Sequence, residues 1–136
     1  MIQVTLASLF LLVHLMSIKA LTPYDDPWTE ECASGHSIYR VRSSHSNHHE
    51  DRRWSFSCRY DRKIGSSCQW SGYVNNYDQS LLYQCPNGVI AGLHSKHHNH
   101  YEDRRFSFKC CFTQMNYQQN CRWTGNVNDW NRRMDY

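Results

Sequence analysis

Two stretches of the chain alternate aromatic and polar residues with a period of two. Residues 54–58 read Trp-Ser-Phe-Ser-Cys, and residues 106–110 read Phe-Ser-Phe-Lys-Cys. Because neighbouring side chains point to opposite faces of a β-strand, the two rings and the cysteine of each stretch share one face. The pattern therefore predicts two strands, each with an apolar face turned towards a core.

The rest of the chain favours the same class of structure. Residues 38–43 and 90–95 are predicted to form further strands, and no stretch combines a helical apolar stripe with capping residues. We expect an all-β domain of short antiparallel strands, with long polar loops that contain the histidines. Glycines interrupt the chain at the spacing of turns, at Gly35, Gly65, Gly72, Gly88 and Gly125.

The two alternating strands belong to an internal repeat. Residues 50–58 return almost unchanged as residues 102–110, a shift of 52 residues, and residues 68–75 return as residues 121–128. A repeat of this length indicates one supersecondary unit that has been copied and stacked. We therefore expect a small domain of two tandem repeats, held together by disulfides.

Four segments follow from these observations. Residues 1–20 contain an apolar run followed by small residues, which predicts a secretory signal peptide. The run is shorter than the roughly 20 residues that span a bilayer, so no membrane span is expected. Residues 21–31 are acidic and contain two prolines, which predicts an extended leader. Repeat 1 occupies residues 32–84, and repeat 2 occupies residues 85–136.

Secretion would place all seven cysteines in an oxidising compartment. A small domain with a limited core commonly depends on disulfides there, so we interpret the cysteines as bridges and not as metal ligands. Removal of Lys19 with the signal peptide lowers the net charge from +3 to +2, with histidine counted as neutral. A bulk nucleic-acid binder has a much larger basic excess, so nucleic acid is not an expected partner.

Strand alternation and parity predict the disulfide pairing. One bridge closes each repeat, from its first cysteine to the cysteine on the aromatic face. Cys111 follows Cys110 directly and must point the other way, so its natural partner is Cys68. Seven is an odd number, so one thiol stays free or joins two chains in a disulfide-linked dimer. The expected pairs are Cys32–Cys58, Cys85–Cys110 and Cys68–Cys111, and the expected remaining thiol is Cys121.

The sequence Glu-Asp-Arg-Arg at the start of each alternating strand invites a catalytic interpretation, with Glu50 and Asp51 as acid and base. Adjacent carboxylates on a strand do not provide a pair roughly 5 to 10 Å apart across a cleft, as glycoside hydrolysis requires. A carboxylate at the start of a strand can instead accept hydrogen bonds from turn amides or from an arginine fork. We therefore assign structural roles to Asp51, Arg52, Trp54, Phe56, Asp103, Arg104, Phe106 and Phe108. Two further rings are assigned to the core, Trp70 and Trp123.

Cationic side chains around this signature are candidates for binding an anionic ligand, since arginine pairs well with sulfate-like oxyanions. Clustered imidazoles can also hold zinc or copper. Structural zinc usually takes four well-placed ligands and the cysteines are better explained as disulfides, so we favour a polar loop and predict neither a metal nor another cofactor. The candidate ligand-binding residues are Arg53, Arg105, Lys96, His45, His48, His97 and His100. Exposed rings are expected at Tyr60, Tyr73, Tyr77, Tyr101, Tyr117 and Trp130.

The repeated signature resembles that of the dermatopontin family, which includes vertebrate dermatopontin and the invertebrate hemagglutinin/amebocyte aggregation factors. The similarity rests on Asp-Arg-Arg-Trp-Ser-Phe-Ser-Cys at residues 51–58 and on its second copy, each preceded by a cysteine about 26 residues upstream and followed by a Cys-x-Trp. The histidine-rich residues 43–54 are more similar to the invertebrate members.

The resemblance implies a secreted, non-enzymatic protein of extracellular matrix or haemolymph that binds matrix proteins, glycosaminoglycans or cell-surface glycans. Two alternatives stay open: a lectin that agglutinates cells in innate defence, and a secreted metal-assisted hydrolase that uses the histidine clusters. Family members usually have three such repeats. This chain has two, so we expect either a short form or an incomplete gene product.

Overall fold

The computed structural model describes residues 20–114 and 121–136. Tyr117 and nearly all of the predicted signal peptide, residues 1–19, lie outside these ranges. The described part of the chain contains no helix, and therefore none with the length and apolar character that a membrane crossing requires. The prediction of an all-β fold is confirmed.

The described residues form antiparallel strands, which we number in chain order. The strands are β1 (Trp28–Glu31), β2 (His36–Ser46), β3 (Asp51–Tyr60), β4 (Ile64–Tyr73), β5 (Gly88–His98), β6 (Asp103–Thr113) and β7 (Met134–Asp135). The period-two segments correspond to the centres of β3 and β6, and the other two predicted strands lie within β2 and β5.

Two sheets face each other across one core. The first has the strand order β1-β5-β6-β4, and the second has the order β3-β2-β7. Trp28, Leu93 and Phe108 of the first sheet meet Phe56 of the second, and all four side chains are buried. The rings of Trp28 and Phe56 lie 5.6 Å apart at a tilted angle, within the range in which aromatic pairs attract each other. Trp54 and Phe106 pack against this cluster, as predicted.

The two sequence repeats do not form two separate sheets. β4 belongs to repeat 1 but pairs with β6 of repeat 2, and β7 at the end of repeat 2 pairs with β2 of repeat 1. β1 comes from the predicted leader and pairs with β5 of repeat 2. Strands therefore cross between the repeats, and one core serves both.

Each repeat nevertheless contains the same hairpin. Residues 47–50 join β2 to β3, and residues 99–102 join β5 to β6. Both hairpins have a register shift at the end opposite the turn, near Ile38 in repeat 1 and near Ile90 in repeat 2. The copied unit is therefore a hairpin with an irregularity at a fixed position, and its turn end is the part that the signature occupies.

Three disulfides connect these strands. Cys110 and Cys111 are neighbours on β6 and bond to different segments, because their side chains leave the strand on opposite faces. The pairs are those that parity and alternation predict, namely Cys32–Cys58, Cys85–Cys110 and Cys68–Cys111, and the exposed free cysteine is Cys121.

The segment predicted as a leader is part of the folded unit. Thr22 is buried, and it exchanges two hydrogen bonds of 2.9 Å with the main chain of Trp54 through its N–H and its Oγ1. Glu31 forms an ion pair with Lys109 of β6. The acidic character that indicated a linker therefore reflects, in part, a basic partner on another strand of the same sheet.

Two tryptophans assigned to the core lie at the surface. Trp70 is 37% exposed and Trp123 is 62% exposed, so this part of the prediction is wrong. β4 is the edge strand of its sheet, and only its first residue, Ile64, is buried. Trp123 lies within residues 121–133, where every residue is exposed. A repeated position in sequence does not ensure burial where no second sheet covers the strand.

We expect Gly88→Ala to destabilise the protein. A Cβ at this position would lie 2.1 Å from the carbonyl O of Cys111 on the neighbouring strand, so the backbone of β5 or β6 would have to move. Overpacking of this kind costs about 1 to 3 kcal/mol and is greatest when backbone must yield. Thermal and denaturant unfolding, with the disulfides intact, measure the loss.

Gly125→Ala is the control for this substitution. A Cβ at Gly125 would have nothing within 4 Å, so stability should change by less than about 0.5 kcal/mol. Equal stability of the two variants would show that β5 and β6 do not approach each other as described.

Candidate functional site

A buried ion pair joins the two copies of the signature. Arg104 of repeat 2 donates from Nε to Oδ1 of Asp51 at 2.7 Å and from Nη2 to Oδ2 at 2.6 Å. The two side chains are only 4% and 3% exposed. A two-point fork between arginine and carboxylate is among the strongest charge-assisted hydrogen-bond arrangements, so it fixes the relative position of the two hairpins.

The other donors of Arg104 are also used. Nη1 and Nη2 each lie 3.2 Å from the carbonyl O of Asp26, and Nη1 lies 3.4 Å from Oγ of Ser95. The guanidinium also lies over the ring of Trp28, 5.9 Å from its centre. A buried charge is tolerated only with such complete pairing. Arg104 therefore joins β3, β5, β6 and the segment before β1.

The aspartates of the signature close equivalent turns in the two repeats. Oδ2 of Asp51 accepts the N–H of Asp25 at 2.9 Å, and Oδ2 of Asp103 accepts the N–H of Asp78 at 2.7 Å. Asp25 and Asp78 both have positive φ, 59° and 58°, a conformation that aspartate tolerates better than most residues. In both repeats, the carboxylate at the start of the strand thus holds an earlier segment against it.

Arg52 is the repeat-1 equivalent of Arg104, but it holds a different part of the chain. Each arginine donates to a serine of the neighbouring strand, Arg52 to Ser43 at 3.0 Å and Arg104 to Ser95 at 3.4 Å. Arg52 then donates to main-chain carbonyls of the segment before β7, those of Asp129, Trp130 and Arg132. The first arginine of the signature thus binds the other hairpin in repeat 2, through Asp51, whereas in repeat 1 it binds the C-terminal segment.

The second arginine of the signature lies over aromatic rings at the surface. In repeat 1, the guanidinium of Arg53 lies 5.3 Å from the centre of the Tyr24 ring. That ring is stacked on His49, with ring centres 4.3 Å apart. All three side chains are half-buried. We call Tyr24, His49 and Arg53 the repeat-1 patch.

Repeat 2 has a larger counterpart. The guanidinium of Arg105 lies 4.5 Å from the centre of the Tyr73 ring and 5.7 Å from that of Tyr77. Tyr77 is stacked on Tyr101 at 4.8 Å, and His98 lies 5.0 Å from Tyr101. Tyr73, His98 and Tyr101 are exposed. We call these five residues the repeat-2 patch.

The two patches are positioned by equivalent hydrogen bonds. Nε of Arg53 donates to the carbonyl O of Thr22 at 2.8 Å, and Nε of Arg105 donates to that of Asn75 at 3.1 Å. The side-chain oxygens of Thr22 and Asn75 accept the N–H of the residue that follows each arginine, at 2.9 and 2.7 Å. A fixed guanidinium loses little conformational entropy when a ligand binds it.

The structure separates the remaining candidate ligand-binding residues. Lys96, His48 and His100 are exposed, and ring contacts place His48 at the edge of the repeat-1 patch and His100 at the edge of the repeat-2 patch. His45 is half-buried in β2, and His97 is buried in β5. The expectation that the histidines lie in loops is therefore wrong for His45 and His97, because both hairpins extend further than their apolar residues indicate. It is also wrong for three other histidines in β2 and β5, namely His36, His94 and His98.

Between the two hairpin turns lies a cleft of about 270 Å³, which we call the inter-repeat cleft. Within it, Nδ1 of His49 lies 3.0 Å from Oδ2 of Asp25. Glu50 and Glu102 occupy equivalent turn positions with φ of 48° and 46°. Carboxylates of both repeats and imidazoles of repeat 1 thus meet in one place. The lining residues are Asp25, Asn47, His48, His49, Glu50, Asn99 and Glu102.

A second and less polar groove lies on a different part of the surface from the inter-repeat cleft. It has a volume of about 520 Å³ and borders the exposed thiol of Cys121 and the exposed ring of Trp123. Tyr83, Val89 and Ile38 line its wall.

Sequence reasoning placed Tyr77 of the repeat-2 patch among the exposed rings but missed its repeat-1 counterpart, Tyr24. Tyr24 and Asp25 recur as Tyr77 and Asp78, 53 residues later, which is nearly the spacing of the signature itself. The repeated unit therefore begins before Cys32. A comparison extended in the N-terminal direction would have found these residues.

Comparison with known proteins finds one matching family model and several similar proteins. The family model described as Dermatopontin matches residues 22–136. The hemagglutinin/amebocyte aggregation factor of Limulus polyphemus is 40% identical over 117 residues, which is 83% of this chain and 67% of that protein. Dermatopontin of Biomphalaria glabrata is 38% identical over 106 residues, 77% of this chain and 71% of that protein.

A third relative has a different kind of name. Millepora cytotoxin-1 of Millepora dichotoma is 38% identical over 102 residues, which is 74% of this chain but only 46% of that protein. No solved structure gives a significant match to the chain.

We expect Asp51→Ala to cost more stability than Asp103→Ala. Removal of Asp51 leaves the buried charge of Arg104 without its partner, a loss of about 3 to 5 kcal/mol. Asp103 is less buried and supports a turn, so its loss should cost about 1 kcal/mol, as for other local caps. Denaturant unfolding measures both values. Equal losses would mean that the ion pair between the repeats contributes nothing beyond the turn.

We also expect an acid-sensitive stability that depends on Asp51. Burial raises the pKa of this carboxyl, but the hydrogen bonds from Arg104 and the Asp25 N–H, with the charge of Arg104, outweigh burial and leave the pKa below its usual value. A carboxyl with a lowered pKa stabilises the folded state above its unfolded pKa of about 3.9, and this contribution is lost as the pH falls through the lower folded value.

Melting temperatures between pH 7 and pH 2.5 test this expectation. The wild-type curve should fall steeply below about pH 4, whereas Asp51→Asn, which has no carboxyl to protonate, should be less stable at pH 7 and flatter in acid. Asp103→Asn is the matched control, because it removes the equivalent carboxyl of repeat 2 and leaves the fork of Arg104 with Asp51 in place. Parallel curves for wild type and Asp51→Asn would contradict the assignment.

Proposed function

Because the chain belongs to the dermatopontin family, we propose that it is a secreted adhesion protein that binds anionic or cell-surface glycans and cross-links the surfaces that display them. The name of the Limulus relative, a hemagglutinin and aggregation factor, supports the cross-linking part of the proposal. The extracellular location is supported by the three disulfides, which form and persist in oxidising compartments.

The observation that carries the proposal is the arginine-on-tyrosine arrangement of the two patches. A tyrosine ring is a rigid, amphipathic surface that can contact the apolar face of a sugar at low entropic cost. The neighbouring guanidinium offers several donors in a planar fork, which suits a sulfate or carboxylate on the same glycan. Arg53 and Arg105 supply this pair of functions once in each repeat. His48, His100 and Lys96 add exposed donors near the patches.

Because the patch is duplicated, one chain can cross-link two surfaces. A protein with one glycan site can coat a cell, but a protein with two sites can connect two cells. Linked sites also raise the apparent affinity for a surface without any new contact, since the second binding event is intramolecular. The repeat-1 and repeat-2 patches are the two sites that we propose.

We propose that the protein acts by binding and not by catalysis. Asp51, which a hydrolase would need as an accessible acid or base, is instead buried in the fork of Arg104. Glu50 lies in the hairpin turn, and the carboxylate next to it in the sequence is this buried Asp51, so the two do not form an accessible pair. A metal-assisted hydrolase is the alternative that activity assays on sulfated and neutral glycans would detect.

A matrix protein partner is the second candidate. The apolar groove beside Cys121 and the 62% exposed ring of Trp123 favour a contact with protein, because clustered exposed aromatic surface is typical of protein interfaces. The exposed thiol also allows a disulfide-linked dimer, which would present four patches in place of two.

We expect Arg105→Gln to abolish agglutination of glycan-coated beads and to weaken binding to a heparin column by at least tenfold, because one of two linked sites is lost. Arg53→Gln should behave in the same way, while each single variant should still bind at low salt. Bead aggregation, the salt concentration of elution and circular dichroism together measure cross-linking, affinity and folding.

Arg62→Gln is the charge-matched control. Arg62 is exposed in the turn that follows β3, at the opposite end of the hairpin from the patch. If the control weakens binding as much as Arg105→Gln does, the interaction follows net charge and the patches are not sites. Loss of agglutination in Cys121→Ser, with both patch variants still active, would instead attribute cross-linking to a dimer.

A further inference from the structure

The outward face of the second sheet carries four arginines. Val41 of β2 and Phe56 of β3 pack in the core, so the residues on either side of them point away from it. In the register of the two strands, each outward arginine lies directly opposite a serine, an arrangement in which Cβ atoms are about 5 Å apart. The pairs are Arg40–Ser57, Arg42–Ser55, Arg53–Ser44 and Arg59–Ser37. We call these residues the arginine face.

Most of the positive charge on the arginine face is unopposed. Arg40 donates to both carboxylate oxygens of Asp135, from Nε at 2.6 Å and from Nη2 at 2.5 Å. Arg42 lies opposite Asp135 in the register, but it is exposed and has no hydrogen bond or ion pair within the described residues. Arg59 is exposed and lies over the ring of Tyr39, 5.7 Å from its centre. In the part of the chain that the structure describes, one carboxylate thus serves four guanidinium groups.

The arginine face is continuous with the repeat-1 patch. Arg53 belongs to both, and it lies six residues before Arg59 on β3. A strand rises about 3.3 Å per residue, so these two arginines mark the ends of a row about 20 Å long. Each end carries an aromatic ring beneath a guanidinium, that of Tyr24 at Arg53 and that of Tyr39 at Arg59.

Repeat 2 has no such row at the equivalent positions. His94 stands in the place of Arg42, and its ring nitrogens lie 2.9 Å from Oγ1 of Thr29 and 3.2 Å from the hydroxyl of Tyr73. These partners belong to β1 and β4, which flank the repeat-2 hairpin, whereas the two-residue β7 flanks β2 of repeat 1. Arg53 alone has an arginine counterpart, and the four equivalent residues are Gly92, His94, Arg105 and Cys111.

We propose that the arginine face binds an extended sulfated polysaccharide chain, which runs along β2 and β3 and ends at the repeat-1 patch. The inference rests on the glycan binding proposed above, and it makes the two sites unequal: repeat 1 binds a long anionic segment and repeat 2 a short one. A guanidinium fork suits sulfate oxygens, and the serine hydroxyls opposite can donate to or accept from sugar hydroxyls.

The shape and composition of the arginine face favour this ligand over a membrane. Charges repeated along about 20 Å match a polymer with anionic groups at regular intervals. Binding in a membrane interface scales with the apolar area that enters the bilayer, as well as with charge. The outward positions of the two strands are mainly arginine and serine, with Tyr39 at one end.

Binding of size-defined heparin oligosaccharides to the disulfide-intact chain, measured by calorimetry, tests the proposal. Arg105→Gln serves as the background, so that the repeat-1 site is measured alone. We expect affinity to rise with length until the oligosaccharide spans about 20 Å, and then to level off. Arg59→Gln should weaken binding of the long oligosaccharides by about fivefold or more and change that of the shortest by less than about twofold.

Arg42→Gln provides a second variant in the middle of the row. It should also weaken binding of the long oligosaccharides, and the slope of log affinity against log salt concentration should fall by about one, because one fewer condensed counterion is released. Both arginines are exposed, so circular dichroism should show an unchanged fold.

Lys96→Gln is the matched control. Lys96 is an exposed cation of β5 at the position equivalent to Ser44, so its replacement should keep the dependence on length. Affinity that does not depend on length, or equal effects of Arg59→Gln and Lys96→Gln, would overturn the arginine face and leave the two patches in place. Absence of heparin binding at any length, in the wild-type chain as well, would overturn the proposed glycan binding too. Tighter, Arg59-dependent binding to phosphatidylserine vesicles or to polyglutamate would assign the face to a membrane or to an acidic protein instead.

Discussion

The fork between Arg104 and Asp51 is the interaction on which the arrangement of the two hairpins depends. It is buried and connects different repeats. The remaining nitrogen of the guanidinium, Nη1, donates to the carbonyl O of Asp26 and to Oγ of Ser95. An ion pair at the surface would add little, but an ion pair in the interior fixes geometry because any displacement leaves a charge unpaired. The two patches and the inter-repeat cleft lie next to this fork, so their geometry follows from it.

Duplication has given the two copies of the signature different roles. Asp51 accepts Arg104, whereas Asp103 accepts a turn N–H and the N–H of its own neighbour. Arg52 correspondingly binds carbonyls of the C-terminal segment. Only one arginine can occupy the position between the hairpins, so the two copies could not keep equivalent partners. The second arginine of each copy faces the surface, where no such conflict arises, and there the two copies remain alike.

The features that could be predicted from the sequence are those that depend on residues close together in the chain. The strand at residues 54–58 follows from alternation within one segment, and the opposed directions of Cys110 and Cys111 follow from adjacency. Pairing between distant strands could not be read in this way, so the pairing of β1 with β5 and the exposure of Trp70 were not foreseen. The contact of β4 with β6 was foreseen only at the predicted Cys68–Cys111 bridge. The burial of His97 depends on the same long-range packing. From its residue type alone, His97 was predicted to be a ligand-binding residue at the surface.

The crossing of strands between the repeats also governs the order in which the chain can mature. As the polypeptide emerges from the ribosome, Cys32 and Cys58 are both available once β3 has been synthesised, and their bond can form within repeat 1. β1 and β4, by contrast, have no partners until β5 and β6 exist, and pairing between distant segments is slow. The native partner of Cys68, Cys111, exists only after β6 has been synthesised. A chain that ended after repeat 1 would lack the strands that pair with β1 and β4, so the shared core can be completed only when both repeats are present.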